Sequence, residues 1–273
     1  MQNVAIVILN YLNYTDTIEC VDSILQNAYD ICGIVIVENG SGNQSVKAIK
    51  KAFKNKPGIY ILQSDHNAGF AKGNNIGIKY ARRILKADYV LVVNNDTIFT
   101  DKDFINKLTR HDEDTGLLGS RIIVNKNKIQ DIMRVYLSFP DILIYYFYIA
   151  CLFFNWETIA YMIREKILHE KRRVPVLHGC VLMFTPRFFS SYEGFYPHTF
   201  LYCEEYILEL MLNKAGMKHQ YVKEAFLFHK EDKSSELSFQ NKTKTKLRYS
   251  LRSYLHVLLV RLLPYNILKN IVN

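Results

Sequence analysis

The sequence predicts an α/β fold built on a mostly parallel central sheet with helices on its faces. Short apolar runs alternate with helix-length segments over the first hundred residues, and a polar cluster follows each apolar run. Strands are predicted at 4–9, 34–38, 59–63 and 89–94, with helices at 16–26, 45–53 and 73–85 between them. Because ligands bind at the carboxyl ends of parallel strands, these polar clusters form the candidate site.

The helix start signals support this order of elements. Asp16 with Glu19 three residues later has the pattern of a capping box, and Ile18 and Val21 then follow at helical spacing. Ser45 is a similar start signal for the second helix. Each helix is therefore predicted to bury one apolar face against the sheet.

Between residues 126 and 173 the pattern changes to a long, aromatic, helix-like stretch. Its apolar core, residues 142–154, is shorter than the ~20 residues that span a bilayer, so an interfacial or core-packed helix is predicted. A strand at 176–185, a helix at 204–215 that ends at a glycine, and an extended segment at 221–228 follow.

The C-terminal segment is the main basic element of a chain whose formal net charge is +9. Residues 237–273 contain four Lys and three Arg but no Asp or Glu. An amphipathic helix is predicted, with Lys244, Arg248 and Arg252 on a different face from the apolar residues Leu247, Leu251, Tyr254, Leu255, Leu258, Leu259 and Leu262. Such a tail binds nucleic acid, anionic lipid or phosphorylated substrates, and composition leaves all three open.

The cysteines indicate a reducing compartment. Five of them are scattered along the chain without a C-x-x-C pair, which argues against a disulfide framework and against a zinc site. The apolar run at 4–9 is short and lacks a basic flank, so it is interpreted as a strand and not as a signal peptide. A cytoplasmic location is expected.

Asp96 is the candidate metal ligand. It follows the buried strand predicted at 89–94, where a carboxylate oxygen can hold a hard divalent cation. An Asx turn or a helix cap explains the same residue equally well. Glycines at 69, 73 and 77 lie around a helix start that can accept an anion, although tight turns and helix packing also explain them.

Two further clusters lie later in the chain. Glu204 and Glu205 begin a predicted helix, where an acid can act as a general base or simply complement the helix dipole. His229 follows the extended segment at 221–228, where an imidazole can bind metal or phosphate, or can be an ordinary surface residue. Each cluster taken alone leaves both interpretations open.

Taken together, these segments resemble the family 2 glycosyltransferases, especially the rhamnosyltransferase-like branch of bacterial surface polysaccharide synthesis. The matching motifs are VILNY at 7–11, VENGS at 37–41, NAGFAKGNNIG at 67–77, VNNDT at 93–97, HGCVLM at 178–183, FLYCEE at 200–205 and HK at 229–230. Their order and spacing follow the family across residues 4 to 235, and the combination is far more specific than any single motif.

The resemblance implies a GT-A fold with a Rossmann-like sheet, and a Mn²⁺ or Mg²⁺ cofactor. By motif position it implies that Glu205 is the catalytic base and that Asp96 and His229 bind the metal. The substrate and nucleotide contacts that it implies are Asn10, Tyr11, Glu38, Asn39, Asn67, Gly69, Lys72, Asn74, Asn95, Glu204 and Arg252.

Three positions depart from the family pattern. Glu38 stands where the family usually has Asp, the segment at 94–96 holds one carboxylate instead of two, and Ile207 replaces a frequent further acid. Metal affinity is therefore expected to depend on the bound diphosphate. The only tryptophan, Trp156, is not part of the Q-x-x-R-W motif of processive synthases, so transfer of one sugar per encounter is expected.

The predicted organisation is a GT-A catalytic domain at 1–235 followed by a basic amphipathic helical region at 236–273. Within the domain, 1–100 is the nucleotide-binding half, 126–174 an aromatic helical insertion and 175–235 the acceptor-binding half.

The expected activity is inverting, metal-dependent transfer from a nucleotide sugar to a hydroxyl of a glycan that is carried on a lipid. The favoured donor is dTDP-L-rhamnose, with UDP-sugars next. The expected location is the inner face of the cell membrane, without nucleic acid as a partner. The sequence leaves open whether the C-terminal helix binds anionic lipid, packs on the catalytic domain or packs on a second subunit of a homodimer. Two alternatives stand beside this prediction: a nucleotidyltransferase, and a non-catalytic nucleic-acid-binding module.

Overall fold

The computed structural model describes residues 3–28, 31–124, 128–130, 133–135, 138–165, 173–230 and 243–273. Its first half has the predicted alternation of strands and helices. The elements are β1 Val4–Asn10, α1 Tyr14–Asn27, β2 Ile31–Asn39, α2 Ser45–Ala52, β3 Ile59–Ser64, α3 Phe70–Arg83 and β4 Tyr89–Asn94.

The second half is less regular and contains several short strands. Its strands are β5 Thr97–Ile98, β6 Thr115–Val124, β7 Lys128–Ile129, β8 Met133–Val135, β9 Arg173–Pro175, β10 Val181–Phe184 and β11 Lys218–His229. Its helices are α4 Phe104–Leu108, α5 Phe139–Phe153, α6 Glu157–Ile163, α7 Pro186–Phe189, α8 Glu204–Lys214, α9 Thr243–Leu262 and α10 Tyr265–Val272.

A nine-stranded sheet runs through the molecule in the order β3-β2-β1-β4-β10-β6-β11-β5, with β7 paired to β6. β3 with β2, β2 with β1, β1 with β4 and β6 with β11 are parallel pairs. β10 is antiparallel to both of its neighbours, β4 and β6. The long pairings are thus the parallel ones, and the prediction of a mostly parallel α/β sheet is confirmed.

The central strands are buried on both faces, which explains why their sequences are continuously apolar. In β1, Ile6 and Ile8 belong to one core cluster, while Ala5 and Val7 belong to the cluster on the opposite face. Helices therefore cover both sides of the sheet, and its functional groups collect at the strand ends.

The predicted capping box at Asp16 is wrong. Helix α1 begins two residues earlier, and its N-cap is Asn13, whose side chain accepts the Asp16 backbone N–H. The carboxylates of Asp16 and Glu19 instead bind the Lys230 ammonium group, which lies at the end of β11. The Asp16 carboxylate thus binds a residue more than two hundred positions away, and not the backbone at the start of its own helix.

Helix α3 begins at Phe70, three residues before the predicted start, and two of its glycines are packing positions. A Cβ at Gly73 would lie 2.6 Å from the Leu9 side chain, and one at Gly77 would lie 2.4 Å from the Val7 side chain. The absence of these two side chains lets α3 lie directly on β1.

The aromatic insertion at 126–174 is only partly helical. Among its described residues, β8 and β9 form a separate two-stranded sheet, and β7 extends the main sheet. Helices α5 and α6 occupy the middle, and α5 packs along α9. Position 126, where the prediction placed its start, lies outside the described residues.

The C-terminal region is two helices that belong to the main core, and not an appendage beside it. Val257 and Val260 of α9 and Leu268 of α10 are completely buried within the same cluster as the sheet residues. The predicted separation of α9 into a basic face and a leucine face is wrong, since Leu255, Leu259 and Leu262 are exposed together with Arg248 and Arg252. Among the described helices, none combines the length and the apolar character needed to cross a bilayer.

Candidate active site

The predicted site residues of the first half gather where the strand order changes direction, at the carboxyl ends of β1, β2 and β4. Asn10 ends β1 and is completely buried, and its Oδ1 accepts the Thr17 hydroxyl at 2.7 Å. The Asn10 Nδ2 group is buried without a hydrogen-bond partner in the described chain. A buried amide donor of this kind costs free energy unless a ligand satisfies it.

Glu38 and Asn95 flank Asn10 at this edge. The Glu38 carboxylate is buried and accepts the Ser41 backbone N–H at 2.9 Å. The Asn95 amide donates to the Asn13 carbonyl and to the Thr17 hydroxyl, at 3.0 and 3.1 Å. The turn after β4 is thus fixed to the start of α1, which holds the next residue, Asp96, in place.

The loop before α3 is held by two asparagines. Asn39 accepts the Ala68 N–H at 3.0 Å, and its amide donates to Asn67 Oδ1 at 3.0 Å. Asn67 Oδ1 also accepts the Gly69 N–H at 2.9 Å. These two side chains fix the conformation of the loop backbone. They would therefore affect ligand binding by positioning backbone groups.

Gly69 joins this loop to the segment that precedes α8. It has φ +84°, and a Cβ there would lie 2.6 Å from the Phe200 carbonyl oxygen. The neighbouring Phe70 N–H donates to the same carbonyl at 2.7 Å. The two halves of the candidate site therefore meet through backbone atoms at this position.

We expect Gly69→Ala to destabilise the fold, both through its left-handed backbone and through the contact with Phe200. The backbone conformation alone costs roughly 1–3 kcal/mol for a residue with a Cβ. Gly58→Ala is the matched control, because Gly58 has φ +79° but open space around its Cβ position. Denaturant unfolding of both variants should show the larger loss of unfolding free energy for Gly69→Ala. Equal losses would mean that the contact with Phe200 imposes no constraint.

Asp96 and His229 meet at the ends of β4 and β11. Both side chains are buried, at 4% and 8% exposure, and His229 Nε2 lies 3.2 Å from Asp96 Oδ1. On the other side of the ring, His229 Nδ1 lies 3.4 Å from the Gln130 side-chain oxygen. The Gln130 amide also lies 3.0 Å from His178 Nε2, so it bridges the two imidazoles.

Glu205 lies at the start of α8 and contacts the residue that follows His178. Its Oε1 accepts the Gly179 N–H at 3.1 Å, and a Cβ at position 179 would lie 2.7 Å from that oxygen. Glu205 is half-buried, whereas its neighbour Glu204 is buried. The carboxylate of Glu205 is thus fixed in position while part of it faces solvent, as a general base requires.

The backbone that delivers Glu205 is strained. Tyr202 and Cys203, directly before α8, have φ of 77° and 66°, which is unusual for two consecutive residues with side chains. Conformations of this kind persist only where surrounding contacts impose them, and they cluster at functional sites. Among the described residues, the contacts that hold this loop come from α3 and α9.

Glu204 is an acid enclosed in the protein. It is 6% exposed, its Oε1 has no hydrogen-bond partner in the described chain, and burial raises its pKa to about 8, with a further contribution from the Glu205 charge. Glu204 is therefore mostly protonated at neutral pH.

The raised pKa of Glu204 predicts a pH dependence of stability. The folded state keeps the proton up to about pH 8, whereas the unfolded chain releases it near the ordinary value of 4.5, so stability falls as the pH rises between these values. Glu204→Gln should remove this dependence and raise the unfolding free energy at pH 8 by an amount on the order of a few kcal/mol. The control is Glu224→Gln at an exposed glutamate of β11. Urea unfolding across this pH range provides the measurement, and parallel curves for Glu204→Gln and the parent would contradict it.

Four further predicted site residues differ in burial. Lys72 on α3 and Arg252 on α9 are exposed, and Asn74 is buried inside α3 with its amide bonded to the Phe70 carbonyl at 3.0 Å. Tyr11 is half-buried after β1. Sequence reasoning missed Gln130 as a site residue, and no local pattern marks it. The motif at 178–183 includes His178, but sequence reasoning gave that residue no role.

Comparison with known proteins decides the family. The family model described as Glycosyl transferase family 2 matches residues 4–184, which include Asn10, Glu38 and Asp96. The chain belongs to this family. The predicted family is thereby confirmed, while the rhamnosyltransferase-like branch stays a prediction.

Two family relatives match parts of the chain. The low-salt glycan biosynthesis hexosyltransferase Agl10 of Haloferax volcanii is 25% identical over 129 residues, which are 47% of this chain and 39% of that protein. Glycosyltransferase GlyG of Streptococcus pneumoniae serotype 4 is 28% identical over 81 residues, which are 30% of this chain and 26% of that protein. The chain therefore covers less than half of the length of either relative.

Two solved structures are similar to the whole fold. The mannosyltransferase PcManGT of Pyrobaculum calidifontis, in complex with GDP-Man and Mn²⁺, has a TM-score of 0.57 at 13% identity. The aligned region is 95% of this chain and 72% of that protein. GalNAc-T7 with UDP, GalNAc and Mn²⁺ has a TM-score of 0.62 at 12% identity. The aligned region is 85% of this chain and 44% of that protein. These likenesses confirm the GT-A fold.

The pair Asp96 and His229 offers donor atoms that suit a divalent metal. A carboxylate oxygen suits Mg²⁺ and Mn²⁺, and the nearby imidazole nitrogen is a donor that transition metals accept better than Mg²⁺ does. Gln130 contacts the second nitrogen of His229, as second-shell groups do for metal-binding histidines. In the part of the chain that the structure describes, no group of three or more His, Cys, Asp or Glu converges as a metal site.

Proposed function

We propose that this chain is a nucleotide-sugar-dependent glycosyltransferase that transfers one sugar per encounter to a hydroxyl group and inverts the configuration at the anomeric carbon. The observation that carries the proposal is the position of two kinds of group in a family 2 fold. Asp96 and His229 lie at one end of a contact chain through Gln130 and His178, and Glu205 lies at the other end, beside Gly179. Two metal ligands at one end suit the diphosphate leaving group, and a base at the other end suits the attacking hydroxyl.

The nucleotide would lie along the ends of β1 and β2. The Asn10 Nδ2 group supplies a hydrogen-bond donor that has no protein partner, and Glu38 supplies a carboxylate held by the Ser41 N–H. The loop shaped by Asn39 and Asn67 closes the same edge. Base and ribose groups offer the acceptors and hydroxyls that these side chains can bind.

The diphosphate would lie near Asp96 and His229, with its oxygens as further metal ligands. When bound, Mn²⁺ or Mg²⁺ supplies Lewis-acid stabilisation of the charge on the leaving diphosphate. The presence of an imidazole nitrogen favours Mn²⁺. Asp96 holds the negative charge that this arrangement requires, and the Asn95 contacts with α1 keep it in position.

Glu205 is the proposed base. Its carboxylate takes the proton of the acceptor hydroxyl as that oxygen forms a bond to the anomeric carbon, and the bond from this carbon to the diphosphate oxygen breaks on the opposite face. The Gly179 N–H fixes one carboxylate oxygen, which orients the other part of the group toward the acceptor. The protonated Glu204 beside it adds no competing charge.

The donor and the acceptor are proposed from the motif resemblance. We favour dTDP-L-rhamnose as the donor, with UDP-sugars next, and a glycan carried on a lipid as the acceptor. The chain would then act at the inner face of the cell membrane as a peripheral protein.

A thermal-shift panel of nucleotide sugars tests the proposal, with Mn²⁺, Mg²⁺ or chelator in parallel. The true donor should stabilise the protein by about 2.7 kcal/mol at a concentration of 100 times its Kd, and only with the metal present. Turnover of that donor in the presence of glycan acceptors, with analysis of anomeric configuration, then tests inversion. If nucleotide sugars and nucleoside diphosphates with metal all leave the melting temperature unchanged, the proposed function is overturned.

A further inference from the structure

Helix α9 has a continuous exposed stripe that is basic in its first half and apolar in its second half. We call it the outer stripe. It consists of Lys244, Arg248, Arg252, Leu255, Leu259 and Leu262, all of them exposed. Their spacings of three and four residues place all six on one side of the helix. The leucines are 43% to 63% exposed.

The opposite side of α9 holds the loop that leads into Glu205. The Tyr249 ring stacks on Phe200 with centroids 4.6 Å apart, and the Ser253 hydroxyl donates to the Leu201 carbonyl at 2.7 Å. One helical turn further on, His256 Nδ1 lies 3.2 Å from the Tyr196 hydroxyl. The helix therefore lies between the outer stripe and the strained loop of the candidate active site.

We propose that the outer stripe binds the surface of an anionic lipid bilayer. Residues 243–273 contain six Lys or Arg and no Asp or Glu, so the charge of this region is complementary to anionic headgroups. The leucine half matches the hydrocarbon boundary beneath them. Helix α5, which packs along α9, has a second exposed apolar stripe that includes Leu143 and Phe147, and Trp156 follows it.

A second copy of the chain is a poorer partner for this stripe. Two stripes packed in parallel would place basic residues against basic residues, and two packed antiparallel would place basic residues against leucines. A bilayer offers anionic groups and hydrocarbon together, which the two halves of the stripe require.

The inference gives the active site a defined position relative to the membrane. The loop at 196–203 contacts one side of α9 and the outer stripe lies on the other, so the loop would be about one helix diameter, ~10 Å, from the lipid surface. This part of the inference rests on the proposed function, because a loop ~10 Å from the lipid surface suits an acceptor sugar that is attached to a lipid. Lipid binding itself can be measured without turnover.

Vesicle cosedimentation of the full chain, with phosphatidylcholine alone or mixed with phosphatidylglycerol, is the test. Deletion of the C-terminal region would be uninformative because Val257, Val260 and Leu268 fill the core. The triple substitution Lys244→Glu, Arg248→Glu and Arg252→Glu is therefore used, because all three side chains are exposed. Its matched control is Lys47→Glu, Lys50→Glu and Lys51→Glu on α2, which changes the net charge equally at exposed positions.

The parent should bind the anionic vesicles, and the outer-stripe variant should lose roughly 100-fold or more in partition coefficient, since each basic residue near anionic lipid contributes about 1 kcal/mol. The α2 control should stay within a few-fold of the parent. The double variant Leu255→Gln and Leu259→Gln tests the apolar half, and it should bind more weakly than the parent.

Equal loss in the stripe variant and the α2 control would overturn the inference, as would binding of the parent to neither kind of vesicle. Sedimentation velocity adds a further outcome: a dimeric parent that becomes monomeric in the leucine variant would assign the stripe to a second copy. Thermal shifts with the donor, measured on the leucine variant, report on the proposed function separately, because Leu255 and Leu259 are not among the predicted substrate and nucleotide contacts.

Discussion

Replacement of Glu205 by glutamine should lower glycosyl transfer by about 10²- to 10⁴-fold while leaving donor binding unchanged. The range is the usual contribution of a general base to an enzymatic rate. Glutamine keeps the size of the side chain, and its amide oxygen can still accept the Gly179 N–H that now binds Glu205 Oε1 at 3.1 Å. What it removes is the ability to take a proton from the acceptor hydroxyl.

Two measurements separate this role from a structural one. The metal-dependent thermal shift produced by the donor should be the same in Glu205→Gln and in the parent, and only single-turnover transfer should fall. Glu209→Gln is the control, because Glu209 lies on the same helix and contacts His219 at 2.6 Å, on a different part of the molecule. Transfer by Glu205→Gln at the rate of the parent would remove the base assignment.

Replacement of Asp96 by asparagine should abolish the metal-dependent part of donor binding and lower transfer by more than about 100-fold. Loss of a group that merely supports a metal ligand typically costs 10- to 100-fold, so loss of the carboxylate ligand itself should cost more. Asparagine keeps the shape of the side chain and removes its charge. The side chain faces His229 and lies two residues after β4, in which every residue but Asn94 is buried.

Calorimetric titration of a nucleoside diphosphate with and without Mn²⁺ measures this effect directly. Affinity should depend strongly on Mn²⁺ in the parent and hardly at all in Asp96→Asn. The control is Asp88→Asn, which neutralises an exposed carboxylate at the opposite end of the same strand. If Asp96→Asn retains the manganese dependence, the metal is held elsewhere and the proposed position of the diphosphate is wrong.

The sheet could be predicted from the sequence because its physical cause is local. Each central strand is buried on both faces, so Val4 through Leu9 form an unbroken apolar run that is visible without any partner. Asp96 could be singled out for the same reason, since it is the first acid after the run at 89–94. The element order and the proposal that Asp96 binds metal both follow from patterns only a few residues long.

Other features depend on contacts between distant segments, and the sequence could not show them. The capping prediction at Asp16 failed because the Asp16 carboxylate binds Lys230, which lies 214 residues later in the chain. Gln130 lies outside every motif quoted from the sequence, and only the fold brings it between His178 and His229. The different burial of Glu204 and Glu205 depends on which side of α8 faces the core, and this is fixed by the packing of the helix.

The two left-handed residues before α8 have a consequence for heat resistance. Tyr202 and Cys203 hold left-handed conformations that cost roughly 1–3 kcal/mol each, although Cys203 lies in one of the two apolar clusters that stabilise the sheet. Local opening of this loop would release that strain, whereas opening of the sheet would break its hydrogen-bonded ladders, so the loop is expected to open first when the protein is warmed. Catalytic competence would therefore disappear at a lower temperature than secondary structure, so a half-life of activity and a melting curve report on different parts of this molecule.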